Sequence, residues 1–272
     1  MTQVTHNDQG LTSGNPAFSE KVAQSYLVAD PTQAKPRTMT VAGTSVKTLV
    51  LLIVLVAGGA WGWVSATEPV ATDTGSGYGN TTVTIPGGFW LASFGALFVG
   101  IFLVLNPRKA ALLGIIYAVL EGYVLGAISA AYDAQTEGIV GAAVVSTLCV
   151  FLVALVLYLT RIIRPKQRMA FGVTAALGGL CLLYLIVGVA SIFDWGWLYS
   201  EQFQTVGVII SLLSVVLAAL SLTLDFASVE AGVTAGAPKF MEWYSAYGLM
   251  VTLVWLYITL LRLLAWMARA RS

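Results

Sequence analysis

The chain has 272 residues, 58% of them hydrophobic and only 10% charged, with a net charge of +1. Soluble globular proteins carry about 25% charged residues, so a depletion this deep leaves too few ionisable groups for a soluble surface and points to a membrane protein. The near-neutral balance excludes the basic face that nucleic-acid binding needs. The one histidine, His6, lies in a polar N-terminal stretch, which removes the imidazole on which most hydrolase and metal sites depend; the chain is not expected to be an enzyme or to hold a resident cofactor. Cys149 and Cys181 match no disulfide or metal spacing and read as small core residues of the lipid phase.

Residues 1–44 are polar, with Gly14, Pro16, Pro31 and Pro36 among Ser, Thr, Gln and Asn. They show no helical periodicity and are expected to form a mostly disordered tail, without the basic n-region of a signal peptide. Residues 45–268 follow as a membrane domain. A hydrocarbon core of about 30 Å takes roughly 20 apolar helical residues to cross. Seven stretches qualify, predicting spans over 46–67, 88–105, 110–132, 139–160, 169–193, 203–226 and 241–266. The fold class is therefore an all-α integral membrane protein, a seven-helix transmembrane bundle with a disordered tail. The second span is short, and the segment 68–88, with Gly75, Gly77, Gly79, Pro86 and Gly87, reads as the longest loop.

Charge placement predicts orientation. Lys21, Lys35, Arg37 and Lys47 precede or open the first span; Arg108 and Lys109 join the second to the third; Arg161, Arg164, Lys166 and Arg168 join the fourth to the fifth. The alternate loops, 68–88, 133–137 and 194–201, carry Glu68, Asp73, Asp133, Glu137, Asp194 and Glu201 and no base. The N-terminus is thus expected in the cytoplasm, with Trp61, Trp63, Trp90, Tyr132, Trp195, Trp197 and Tyr199 near the outer boundary. Arg262, Arg269 and Arg271 disagree, because seven crossings put them outside; a re-entrant segment in place of one crossing would return them.

Spans in lipid must be helical, so faces can be read at helical spacing. In the third span Gly114, Ala118, Gly122, Gly126 and Ala130 recur every four residues, a stripe that admits a close neighbour. Glu121 borders that stripe at mid-span. A carboxyl at bilayer depth usually faces a bundle interior or a water path, although a neutral Glu making one interhelical hydrogen bond is the competing reading. The sixth span carries Ser211, Ser214, Ala218, Ser221 and Asp225 as one small and polar seam, ending in an acid near the cytoplasmic side. The seventh has a matching seam of Ser245, Gly248, Thr252, Trp255, Thr259 and Arg262. The two seams predict either a tight polar helix pair or a narrow hydrated path gated by Asp225. Asp225, Glu230 and Glu242 read as an acidic cytoplasmic cluster with Lys239 the only nearby base, suited to a hard cation such as calcium, or as a solvated loop. Gly58, Gly59 and Gly62 lie in an apolar span and form no phosphate loop. Asn80-Thr81-Thr82 matches a glycosylation sequon and carries no weight.

The sixth and seventh spans resemble the Bax inhibitor-1 / YccA family of small multispanning proteins. The resemblance rests on Ser221-Leu222-Thr223-Leu224-Asp225-Phe226 with Val229-Glu230, on Glu242-Trp243-Tyr244 and on Leu256-Tyr257. Leu120-Glu121-Gly122 with Leu125-Gly126 adds to it, and Ser13-Gly14-Asn15-Pro16 resembles the tail of a bacterial branch. It implies six helices around a central seventh, and functions associated with calcium leak, cytoprotection and, in bacteria, modulation of a membrane-bound AAA protease. Some members use two aspartates on the last two helices as a pH-sensing latch. Asp225 matches the first; the second falls at Thr259 by motif or near Met250 by spacing, neither acidic, so a gate at Asp225 needs another partner such as Glu242 or Glu121.

The expected function is a calcium or other cation leak channel with proton sensitivity, in a bacterial plasma membrane. Its candidate path or gate residues are Glu121, Asp225, Ser214, Ser221 and Glu242. The alternative is a membrane-anchored modulator whose tail docks on a membrane protease or other partner, without transport. A ceramidase-like intramembrane hydrolase would need several metal ligands that a single tail histidine does not supply.

Overall fold

A computed structural model describes residues 38–69, 81–162, 167–192 and 201–269. The readings of residues 1–37 as a disordered tail, of the Ser13–Pro16 motif, of Gly75, Gly77, Gly79 and Asn80, and of Arg164, Lys166, Asp194, Trp195, Trp197, Tyr199 and Arg271 lie outside the described residues. The side chains of Glu68, Asp73 and Glu201 also lie outside them.

Seven α-helices occupy the described residues: α1 Val41–Ala66, α2 Phe89–Leu105, α3 Ala110–Asp133, α4 Ile139–Leu159, α5 Gln167–Ile192, α6 Glu201–Thr234 and α7 Met241–Arg269. Six are long and apolar enough to span a bilayer, and α2 is a shorter apolar helix. Lipid-type surface covers them: Leu91, Phe171, Ile162 and Leu105 are each more than 70% exposed. Patches of that kind aggregate in water and are the natural outer surface in a bilayer. The protein is an integral membrane protein.

Local chemistry sets the helix ends. α1 starts at Val41, inside the stretch that reads as tail, because Thr40 caps it: its hydroxyl oxygen accepts from the Gly43 N–H at 3.0 Å, satisfying a donor that helix geometry leaves open. Pro107 forbids continuation of α2, and a short 3₁₀ turn, Pro107–Lys109, leads into α3. Gly138, at φ 79°, turns the chain into α4, with its N–H donated to Asp133. Beyond α1, Thr67–Pro69 pairs antiparallel with Thr81–Val83 as a two-stranded ribbon, β1 and β2, so the loop read over 68–88 has a pinned base. The sixth helix runs to Thr234, well past the 226 that hydropathy predicts. Its last two turns carry Ser228, Glu230 and Thr234, whose polarity ends the apolar run without ending the helix; the hydroxyls of Ser228 and Thr234 bond back to the carbonyls of Leu224 and Glu230.

The stripe on α3 has its partner in α1. A side chain built on Gly58 would come within 2.7 Å of the Val119 carbonyl oxygen. On Gly62 it would overlap the Tyr123 carbonyl; on Gly122 and Gly126 it would overlap the carbonyls of Leu55 and Gly59. Backbone touches backbone, the close approach that small residues permit in lipid, where dispersion and not the hydrophobic effect drives association.

At the centre lies α7, the most buried of the helices. It packs broadly on α1, α3, α4 and α6. It reaches α2 where Tyr247 lies against Gly100, and α5 where the Arg262 guanidinium stacks 4.7 Å from the Tyr184 ring. Both of its ends are tied to other elements. At the first, Glu242 is bound by Thr40 and Lys47 at the start of α1. At the other, Arg269 donates to Gln135 in the α3–α4 connection at 2.7 Å. With 29 residues at 1.5 Å each the helix is about 43 Å long. It is long enough to cross a bilayer, whereas α2, at 17 residues, is the shortest of the seven. Cys149 and Cys181 are free and exposed on helix surfaces, so they are lipid-facing and not core residues.

Candidate functional site

Asp225 is fully buried between α6 and α7, at 0% exposure. Its carboxylate accepts a hydrogen bond of 2.5 Å from the Thr252 hydroxyl, which is itself held against the Gly248 carbonyl. Because α6 continues to Thr234, Asp225 lies about 13 Å inside the end of its helix, although it stands near the end of the apolar run. The two seams do meet, and they meet here. A partner of Asp225 is Thr252, a member of the α7 seam, while Glu242 is engaged elsewhere, by Thr40, Lys47 and Lys239. One turn earlier, Ser221 is buried with a hydroxyl that has no hydrogen-bond partner among the described residues. Ser214, also buried, donates to the Ile210 carbonyl and lies 3.3 Å from the Tyr184 hydroxyl of α5; it faces the α5 side of the seam.

Glu121 has other company. The Tyr117 hydroxyl, one turn earlier on α3, lies beside its carboxyl, and the Tyr117 and Tyr247 rings meet edge to face at 5.0 Å. Tyr247 and Thr252 are five residues apart on α7, which places them about 140° apart around the helix. Glu121 and Asp225 therefore address different faces of α7, and the structure does not bring them together.

The acidic cluster separates into three engagements. Glu242, at 0% exposure, is gripped from three sides: the Thr40 N–H and hydroxyl each donate to it at 2.9 Å, Lys239 pairs with it at 2.6 Å, and Lys47 completes the set. Lys239 is thus not its only base. Glu230 accepts from the Tyr158 hydroxyl, on the far side of Phe226, whose ring touches Tyr158 and Phe151. Among the described residues no group of three or more His, Cys, Asp or Glu is placed to hold a metal ion.

A family model described as Bax inhibitor 1 like matches residues 15–269, nearly the whole chain and every helix described above. The chain belongs to the Bax inhibitor 1 like family. Comparison with curated proteins and with solved structures finds no match. Within this Bax inhibitor 1 like chain, the Asp225–Thr252 bond occupies the interface of the last two helices. Tyr117 was legible in the sequence as the i−4 neighbour of Glu121 on one helical face, and Thr252 as a member of the α7 seam. Thr40 and Lys47 carried no such signal, since they reach Glu242 across about two hundred residues of chain.

Proposed function

We propose that this Bax inhibitor 1 like protein is a non-enzymatic cation leak channel, with calcium as the expected ion, gated at Asp225. The observation that carries the reading is a fully buried carboxylate that accepts from a threonine hydroxyl across the α6–α7 interface, one turn from a buried serine hydroxyl without a hydrogen-bond partner among the described residues. Ionisable groups at membrane depth are costly to keep and tend to mark ion or proton pathways. Oxygen donors of this kind suit a hard cation, and unpaired Ser221 offers the next ligand along the seam. The Thr252 bond closes the path by occupying the carboxylate. The proton sensitivity expected of the leak is assigned to the same carboxylate. The distribution of Lys and Arg supports a cytoplasmic N-terminus, and the tail motif Ser13-Gly14-Asn15-Pro16 a bacterial plasma membrane.

A second reading, a modulator of a membrane protease or other partner, is favoured by one feature. The chain emerging from residues 1–37 is fastened to the α6–α7 connection, where the Met39 N–H donates to Ala237 at 2.7 Å and Thr38 bridges to Pro238. Calcium entry into proteoliposomes tests the first reading: wild type should exceed empty vesicles, and Asp225→Asn should change the rate several-fold. No flux above empty vesicles at any pH would leave the second reading, in which deletion of residues 1–35 removes the phenotype.

A further inference from the structure

Between α2 and α3, on the flank of α7 away from Asp225, lies a cavity of about 600 Å³. That is within the roughly 300–1,000 Å³ of small-molecule pockets. Its floor is buried, formed by Ala96, Val124 and Tyr247, and its rim is exposed and apolar, formed by Leu97, Ile101 and Leu105. In a membrane protein such a rim faces acyl chains, so the cavity is entered sideways from the bilayer. Gly100 keeps it open: a side chain there would stand 3.0 Å from the Tyr247 hydroxyl and 3.1 Å from the Tyr117 ring.

The lining is apolar except at one place. Glu121 contributes a carboxyl beside the Tyr117 and Tyr247 hydroxyls, and no Lys, Arg or His lines the cavity. Among the described residues Glu121 makes no ion pair. An acid in contact with lipid is costly unless a partner is supplied, and among the described residues no cation of this chain supplies one to Glu121. A bare or hydrated metal ion does not arrive through hydrocarbon, whereas a protonated amine on an alkyl chain does. Its ammonium has three donors and no acceptor, which matches one carboxylate and two phenol oxygens. The adjoining aromatic rings add the attraction of a cation to a π face.

We propose that this groove binds a long-chain amine dissolved in the membrane, with the ammonium on Glu121 and the chain lying along α2. An alcohol of the same length would fill the slot but satisfy only part of the polar end, and a carboxylate would be repelled. The site is independent of the leak reading, because it lies on the other face of α7.

The test uses full-length protein in phosphatidylcholine nanodiscs and measures retention of radiolabelled dodecylamine over empty nanodiscs, beside dodecanol and dodecanoate. Dodecylamine should saturate at one per protein. Loss of the charge in Glu121→Gln should weaken it about tenfold or more, and the space-filling Val104→Phe should block it. Amine retention no higher than in empty nanodiscs, dodecanol bound as tightly as dodecylamine, or retention unchanged in Glu121→Gln would each overturn the proposal. The comparison of amine with alcohol on wild type decides the matter even if a variant fails to fold.

Discussion

At the scale of single residues, the three acids of the last two helices illustrate how differently buried carboxyls are used. Glu242 is a fastening. Two lysines and two donors of Thr40 converge on it, and removing one partner of a buried ion pair typically costs about 3–5 kcal/mol. Glu242→Ala should therefore destabilise the protein by roughly 3 kcal/mol, toward the low end of that range because Lys239 reaches water. Lys239→Ala should cost well under about 1 kcal/mol, since Lys239 is 44% exposed and screened. Unfolding of the detergent-solubilised protein by heat or denaturant reads both; equal losses would contradict the assignment. Asp225, in contrast, meets the Thr252 hydroxyl of the neighbouring helix and neither of the two lysines that fasten Glu242. The sequence marked all three acids, yet grouped them by proximity in the chain. It carried no means of knowing that Glu242 faces α1, because nothing local records a contact between residues 40 and 242.

At the scale of helices, span positions were legible because bilayer thickness dictates their length and composition dictates their surface. The ends were less so. The polar last turns of α6 read as loop, since an apolar window sees where lipid stops and not where hydrogen bonding stops. The α3 stripe was legible as a packing face, and its partner had a signal too: Gly58 and Gly62 on α1 stand four residues apart, the spacing of close helix packing, but with Gly59 they read only as forming no phosphate loop. The geometry now separates these glycines. Gly62→Ala should cost about 2 kcal/mol or more through overpacking against the Tyr123 backbone. A side chain at Gly59 comes no closer than 3.5 Å to the Gly122 oxygen, so Gly59→Ala should be neutral or stabilising by up to about 1 kcal/mol through helix propensity. Thermal unfolding midpoints of the two variants give the comparison, and a Gly62→Ala protein as stable as wild type would refute the backbone contact of α1 with α3.

At the scale of the whole molecule, the arrangement follows from α7. It is flanked by all six other helices, its first turn is tied to the start of α1 and its last to the α3–α4 connection, and its faces carry separate chemistry. One face meets Asp225; another, about 140° away, floors the groove with Glu121. The sequence supplied both acids and a single hypothetical path through them, but only the rotation of α7 shows that they belong to different places. Family membership gives the protein its class, and the proposed function makes the Asp225–Thr252 bond the lock of this chain. The most direct measurement is calcium entry into proteoliposomes carrying Thr252→Val, which removes the hydroxyl that holds Asp225 while keeping the shape of the side chain. The lock predicts entry several-fold faster than wild type, with wild type itself above empty vesicles; entry equal to wild type, or no entry in either, would contradict it.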